Sequence, residues 1–493
     1  MRLFRDSARW LFFAALILAP CFYGGTTKES IVWINCSLAV ALGLWLIGLL
    51  FRVGKTTGVS VSNYGGEDEP RAARLLRVLA AASIAILVLG WWMVLNAAWI
   101  FDSEFFLFIP VQRLFPHAPG SGDYAISAAW MLRTTLLIGA MWLVVDLSQD
   151  PKWLLRLWWT IGIAGALIAL LGLLQKATNA NMIFWQPELP WKGKNFFATY
   201  YYRGNAGAFL NLVWPLIVGL AIRAFQNRKA TGTRPLWLSL SVIGIVAAAS
   251  NTSRMAHFVA VLSGVVFGMI FAPKILRDIS RTERSIALVG AVVILLTMFA
   301  VAEASHFDQA TKRWQGSWGS WQENGRWLAP RAATHALVDV GLLGLGPGTF
   351  RIIFPYYTAD IGQRIHGEWR FLHEDYLQTL LEWGWLGAGL WAVVFFGAII
   401  VGLRSYWRCC GRLATGRVRP TGGHGRRYSA EWIPRRRLIL SLVILSLCGV
   451  ATHALIDFPL QIMSIQLYVA TYIGICWGSA CWRDHLRVET ETP

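Results

Sequence analysis

His373-Glu374-Asp375-Tyr376-Leu377-Gln378 closes the interval Val301–Trp383, which also holds Gly325-Arg326 and Gly346-Pro347-Gly348. This interval is the one long polar segment in a chain otherwise built of apolar runs. Hydrophobic residues make up 56% of the 493 positions and charged residues 15%. A soluble domain carries about 25% charged residues, so the balance points to a polytopic membrane protein. Nine apolar runs of spanning or near-spanning length precede the interval, from Trp10–Tyr23 to Ile286–Val301, the seventh (Leu236–Ala249) being short. Three follow it: Trp383–Leu403, Leu438–Ile456 and Ile462–Trp482. The expectation is an all-α integral membrane protein of about twelve spans with one large helical extracytoplasmic loop. Its division is 1–303 for nine spans, 304–382 for the loop, and 383–493 for three spans with a basic loop at 404–437. No small-residue cleavage site follows the first run, which reads as a retained span rather than a leader.

The net charge is +18, and its distribution excludes nucleic acid as the partner. With the N-terminus inside and the spans alternating, the inside segments carry this whole excess and the outside segments balance. That is the positive-inside asymmetry. Arg404–Arg437, with ten arginines, falls inside, as an orientation signal and a contact for anionic lipids. The Val301–Trp383 loop falls outside. Three smaller segments share that side: Phe101–Tyr124, Gln175–Asn205 and the tight link Ser250–Arg254. The seven cysteines lie in spans or in the inside loop, so the outer loop has no thiolate metal site. The sequence shows no internal repeat, and the mid-span cores are almost free of charge. Both features favour an enzyme over a flippase or other transporter, which remains the competing class.

Within the loop, Asn324–Val340 reads as one helix, bent or begun at Pro330, before the turn Gly341–Gly348. A second helix is expected from near Phe371, with His373, Tyr376 and Leu377 on one face and Glu374, Gln378 and Glu382 on another. Gly344-Leu345-Gly346-Pro347-Gly348 lacks the Lys-Ser/Thr ending of a phosphate-binding P-loop. A turn with positive-φ glycines is the reading.

Histidine accepts a proton near neutrality, which makes His373 the candidate base; Glu374 and Asp375 either orient its ring or face water. Arg254 follows Asn251-Thr252-Ser253 at the start of the eighth run, where Thr252 or Ser253 would cap the helix. An arginine there opposes the helix dipole. It either holds an anion at the helix N-terminus or snorkels to headgroups. Arg326 and Arg331 are anion ligands or surface charges. His453 lies four residues before Asp457 near the outer end of the eleventh run, in a functional pair or an internal hydrogen bond.

Taken together, these pieces resemble the O-antigen ligase family, which includes O-antigen polymerases and protein O-oligosaccharyltransferases. The resemblance runs from about Gly204 to Gly387. It rests on Gly204-Asn205-Ala206-Gly207, Thr252-Ser253-Arg254, Gly325-Arg326, Gly341–Gly348, His373–Gln378 and Glu382-Trp383-Gly384-Trp385-Leu386-Gly387. Glu374 stands where the family usually has asparagine, Pro330 where tryptophan is common, and Gly341 where proline is common. The resemblance implies a GT-C-type fold and a polyprenyl-pyrophosphate-linked glycan donor, with no metal or cofactor. The acceptor would be lipid A-core or another glycan or protein. Arg254 and Arg326 would hold the pyrophosphate, with Arg331 and Arg370 next. His373 would take the acceptor hydroxyl's proton, supported by Asn205, Ser253, Gly346, Gly348, Glu374, Gln378, Glu382, His453 and Asp457. Ligation at the periplasmic face of a bacterial inner membrane is the first expectation and polymerisation the second.

Overall fold

The computed structural model describes residues 2–53, 69–187 (except 103 and 106), 195–226, 232–278, 325–358, 369–414 and 423–482. The expected ninth run, 286–301, and the loop positions 304–324 and 359–368 lie outside these residues, as does the side chain of Arg326. Apolar runs become helices, because within a bilayer only internal hydrogen bonds satisfy the backbone. They are α1 (Arg2–Cys21), α2 (Lys28–Val53), α3 (Glu69–Leu95), α4 (Tyr124–Leu147), α5 (Pro151–Ala177), α6 (Arg203–Gln226), α7 (Arg234–Ser250) and α8 (Arg254–Asp278). In the loop come α9 (Gly325–His335), α10 (Leu337–Val340) and α11 (Phe350–Ile353). The chain then forms α12 (Asp375–Ala414), α13 (Gly423–His453) and α14 (Met463–Gly478).

Eight of the described helices are long and apolar enough to cross a membrane, so this is a multi-pass membrane protein. Three expected spans fall short of that test for different reasons. The first half of α1 carries Arg2, Arg5, Asp6 and Arg9, and α7 and α14 have only 17 and 16 residues. One further expectation needs correction, and the all-α class has one exception: after α3, β1 (Trp99–Asp102) and β2 (Leu107–Pro110) pair antiparallel as a small hairpin. The stretch expected as one helix over Asn324–Val340 breaks at Ala336, where Ala336 N–H reaches back three residues to Ala333 instead of four.

Contacts between distant segments sort the helix ends into two sets. At one end Arg5 Nη2 grips both Asp146 carboxylate oxygens at 2.9 Å, and Gln149 Nε2 donates to Gly478 O at 3.0 Å. At the other end Ser464 Oγ donates to Gly24 O at 2.6 Å, and Asn251 Nδ2 to Arg203 O at 3.0 Å. Tyr376 OH donates to Ala451 O at 2.8 Å there, joining α12 to α13. This second end is the one the charge asymmetry reads as outer. It carries the small core of the loop, in which Ala329, Ala332, Ala333 and Ala336 pack against Phe350, Phe354, Leu372 and Leu381.

Candidate active site

His373 does not lie on a helical face. It sits two residues before α12 with φ of +62°, in the left-handed region, where histidine is tolerated better than most residues. Such a conformation costs about 1–3 kcal/mol and persists only when its surroundings enforce it. Glu374 provides part of that enforcement, as Oε1 and Oε2 accept the N–H groups of Tyr376 (3.1 Å) and Leu377 (2.8 Å) and so cap α12. Burial raises the Glu374 pKa, and these two N–H bonds oppose the shift. Glu374 therefore does not orient the imidazole.

The ring's partner is Asp457, 84 residues away, with Nδ1 3.0 Å from Oδ1. Asp457 is 2% exposed. Burial alone would raise its pKa, but His373 and His453 outweigh that and hold it below the usual carboxylate range. An ionised Asp457 makes Nδ1–H the donor, which leaves Nε2 with its lone pair. Tyr202 OH donates to the other carboxylate oxygen at 3.0 Å. His453 Nε2 stands 3.8 Å from Oδ2, too far for a hydrogen bond. Aromatic edges enclose the imidazole: Phe458 at 4.6 Å, Trp369 at 5.4 Å and Tyr202 at 6.1 Å between centroids. Gly204 permits this approach, because a Cβ there would stand 2.6 Å from Asp457 Oδ2.

A chain of hydrogen bonds runs back from Leu372, the residue before His373. Gln378 Oε1 accepts Leu372 N–H at 2.9 Å, and its Nε2 donates to Glu382 Oε1 at 3.0 Å. Glu382 Oε2 in turn accepts Gly348 N–H at 3.0 Å. The glycines of the turn take positive φ as expected, including Gly346 at +113° and Gly348 at +76°. Gly344 meets Gly384 at a break in α12, where a Cβ on either would lie 2.4 Å from the other's backbone nitrogen. The Gly-Pro-Gly turn thus buttresses the start of α12 and is no phosphate cradle. Asp375, fully buried, accepts Leu460 N–H at 2.8 Å and Gln461 Nε2 at 2.9 Å; it holds the turn after Asp457 rather than the ring.

Arg254 is the first residue of α8 and is exposed. Ser253 is the cap, its Oγ accepting Ala256 N–H at 3.4 Å, while Asn251 ties this link to Arg203 at the start of α6. Lys176, at the end of α5, donates to Ser250 O. Asn205 is 3% exposed, and its Oδ1 has no hydrogen-bond partner among the described residues. Arg331 on α9 and Arg370 before α12 are exposed. The structure therefore joins His373, Asp457 and Tyr202 directly, and links Gln378, Glu382 and Gly348 in series behind them.

Residues 239–392 match the family model described as O-antigen ligase. The chain carries an O-antigen ligase family domain. No curated protein matches the sequence. Members of this family are ligase- and glycosyltransferase-like enzymes, so the match points to glycan transfer at a membrane. The ligase domain contains His373, Glu374, Gln378, Glu382, Gly346, Gly348, Ser253 and four arginines: Arg254, Arg326, Arg331 and Arg370. Tyr202, Asn205, His453 and Asp457 come from outside it. Sequence reasoning missed Tyr202, and missed that Asp457 belongs with His373 more closely than with His453. The signal available was Gly204, a glycine at a helix start.

Proposed function

We propose that this protein transfers a glycan from a polyprenyl-pyrophosphate donor to an acceptor hydroxyl at the outer face of the cytoplasmic membrane, as an O-antigen or related polysaccharide ligase. The observation that carries this reading is the commitment of His373 Nδ1 to Asp457, which leaves Nε2 able to accept a proton. In the step, the acceptor oxygen forms a bond to the anomeric carbon as its proton passes to Nε2. The bond from that carbon to the pyrophosphate breaks, and the lipid pyrophosphate leaves with the electron pair. Asp457 stabilises the imidazolium formed. Arg254 and Arg326 hold the pyrophosphate, where negative charge grows, and Arg331 and Arg370 lie on the same side of the bundle by the sequence topology. The loop 304–382 serves as the catalytic segment between the two groups of spans.

The test is transfer in liposomes containing the purified protein, a polyprenyl-pyrophosphate-linked oligosaccharide and one acceptor at a time: lipid A-core, free oligosaccharide or peptide. Glycan on lipid A-core, unaffected by EDTA, is the expected product. Product on the oligosaccharide alone would make the protein a polymerase. Donor crossing the bilayer with no product would make it a flippase.

A further inference from the structure

Arg133 is an arginine inside a membrane span that the proposed step does not use. It lies nine residues into α4, roughly 13 Å along the helix from its outer end at 1.5 Å per residue, and is 5% exposed. Charged groups at such depth need partners. No carboxylate pairs with Arg133 among the described residues. Its guanidinium lies over the Trp130 ring, 4.6 Å from the centroid, and Nη2 donates to the backbone carbonyl of Gln461 at 2.8 Å.

That carbonyl belongs to the short 3-10 turn Pro459–Gln461, which begins two residues after Asp457. The Gln461 side chain donates to Asp375, two residues after His373. The same face of α4 also supports the other loop of the site. Ser127 Oγ donates to Pro347 O at 2.8 Å, and Trp130 packs so closely on Gly348 that a Cβ there would lie 1.9 Å from Trp130 Cδ1. Ser127, Trp130 and Arg133 are spaced three apart, so they line one side of the helix.

We propose that Arg133 is a positioning residue: through the Gln461 carbonyl it sets the turn that carries Asp457, and so the alignment of Asp457 on His373. A guanidinium suits this task. Its flat face is fixed against Trp130 while one N–H is aimed at a carbonyl, a geometry that a lysine cannot reproduce. The inference rests on the reading of His373 and Asp457 as a catalytic pair.

A double-mutant cycle tests it, using the liposome assay with a polyprenyl-pyrophosphate-linked oligosaccharide and lipid A-core. Arg133→Met alone is expected to lower kcat by about tenfold or more, with the acceptor KM within about twofold, and Arg133→Lys to lose less. In an Asp457→Asn background, Arg133→Met should cost no more than about twofold further, because the carboxylate it positions is gone. Losses that multiply across the two sites would overturn the inference, as would wild-type kcat in Arg133→Met. Where Arg133→Met fails to give a folded protein, the same cycle with Arg133→Lys decides. Wild-type transfer by Asp457→Asn alone would instead overturn the catalytic pair, and the inference with it.

Discussion

The two ends of the bundle use charge in opposite ways. At the end that carries Arg5, the charges satisfy one another. Arg5 Nη2 reaches both oxygens of Asp146, Arg9 bridges Asp6 (3.2 Å) and Asp146 (3.6 Å), and Trp45 Nε1 donates to Asp146 at 3.4 Å. At the end that carries His373, the buried carboxylate of Asp457 meets a phenol and two histidines, and among the described residues no guanidinium is its partner. A guanidinium on Asp457 would neutralise the carboxylate for structural purposes. A histidine turns it into an orienting group, since the ring's second nitrogen stays uncommitted. The first arrangement holds helices together, whereas the second suits the proposed proton transfer.

The largest effect expected from breaking this contrast follows Asp457→Asn. An amide cannot stabilise an imidazolium, so transfer should fall by about a hundredfold or more in the liposome assay. The same variant has a pH signature. Asp457 has a depressed pKa in the fold, so its stabilisation is present above the unfolded carboxylate pKa of about 3.9 and is lost as pH falls through its folded value. The melting-temperature difference between wild type and Asp457→Asn should shrink as pH falls below about pH 4.

Gly344→Ala comes next. Its Cβ would meet the backbone at Glu382 and Gly384, which cannot swing aside as a side chain can, so a stability loss of about 1–3 kcal/mol is expected, with reduced transfer. Glu382→Gln keeps the shape but replaces one of two accepting oxygens with a donor that would face Gly348 N–H or Gln378. A loss of about 1–3 kcal/mol in thermal or denaturant unfolding would match the cost of a buried unsatisfied group. The smallest effect belongs to the other end. Arg5→Ala removes a part-exposed ion pair and should cost about 1 kcal/mol or less. Its transfer rate should stay near wild type. A large activity loss there would erase the contrast between the ends.

Much of this was legible in the sequence. Within the described residues the apolar runs became helices, and the link Asn251–Arg254 joined the start of α6 as two outward segments should. The glycines of Gly341–Gly348 took the positive φ that no other residue adopts so readily. The local path at His373 was misread because helical spacing continues through it, yet Glu374-Asp375 before an apolar run is itself a helix-start pattern. The partnership with Asp457 was not legible. It spans 84 residues and depends on how α12 docks on α13, which no local pattern encodes. Arg133 was passed over because an apolar run tolerates one charge when its partner, here a backbone carbonyl, leaves no mark on the sequence. The hairpin Trp99–Pro110 was missed for a similar reason, since its pairing lies between two short segments with no two-residue Gly or Asn turn.

In the proposed step His373 Nε2 takes the acceptor's proton, and single-turnover transfer by His373→Ala is the test of that role. Donor bound to the folded variant, with a transfer rate about 10²–10⁴-fold below wild type, is the predicted result. Transfer at the wild-type rate by His373→Ala would contradict it.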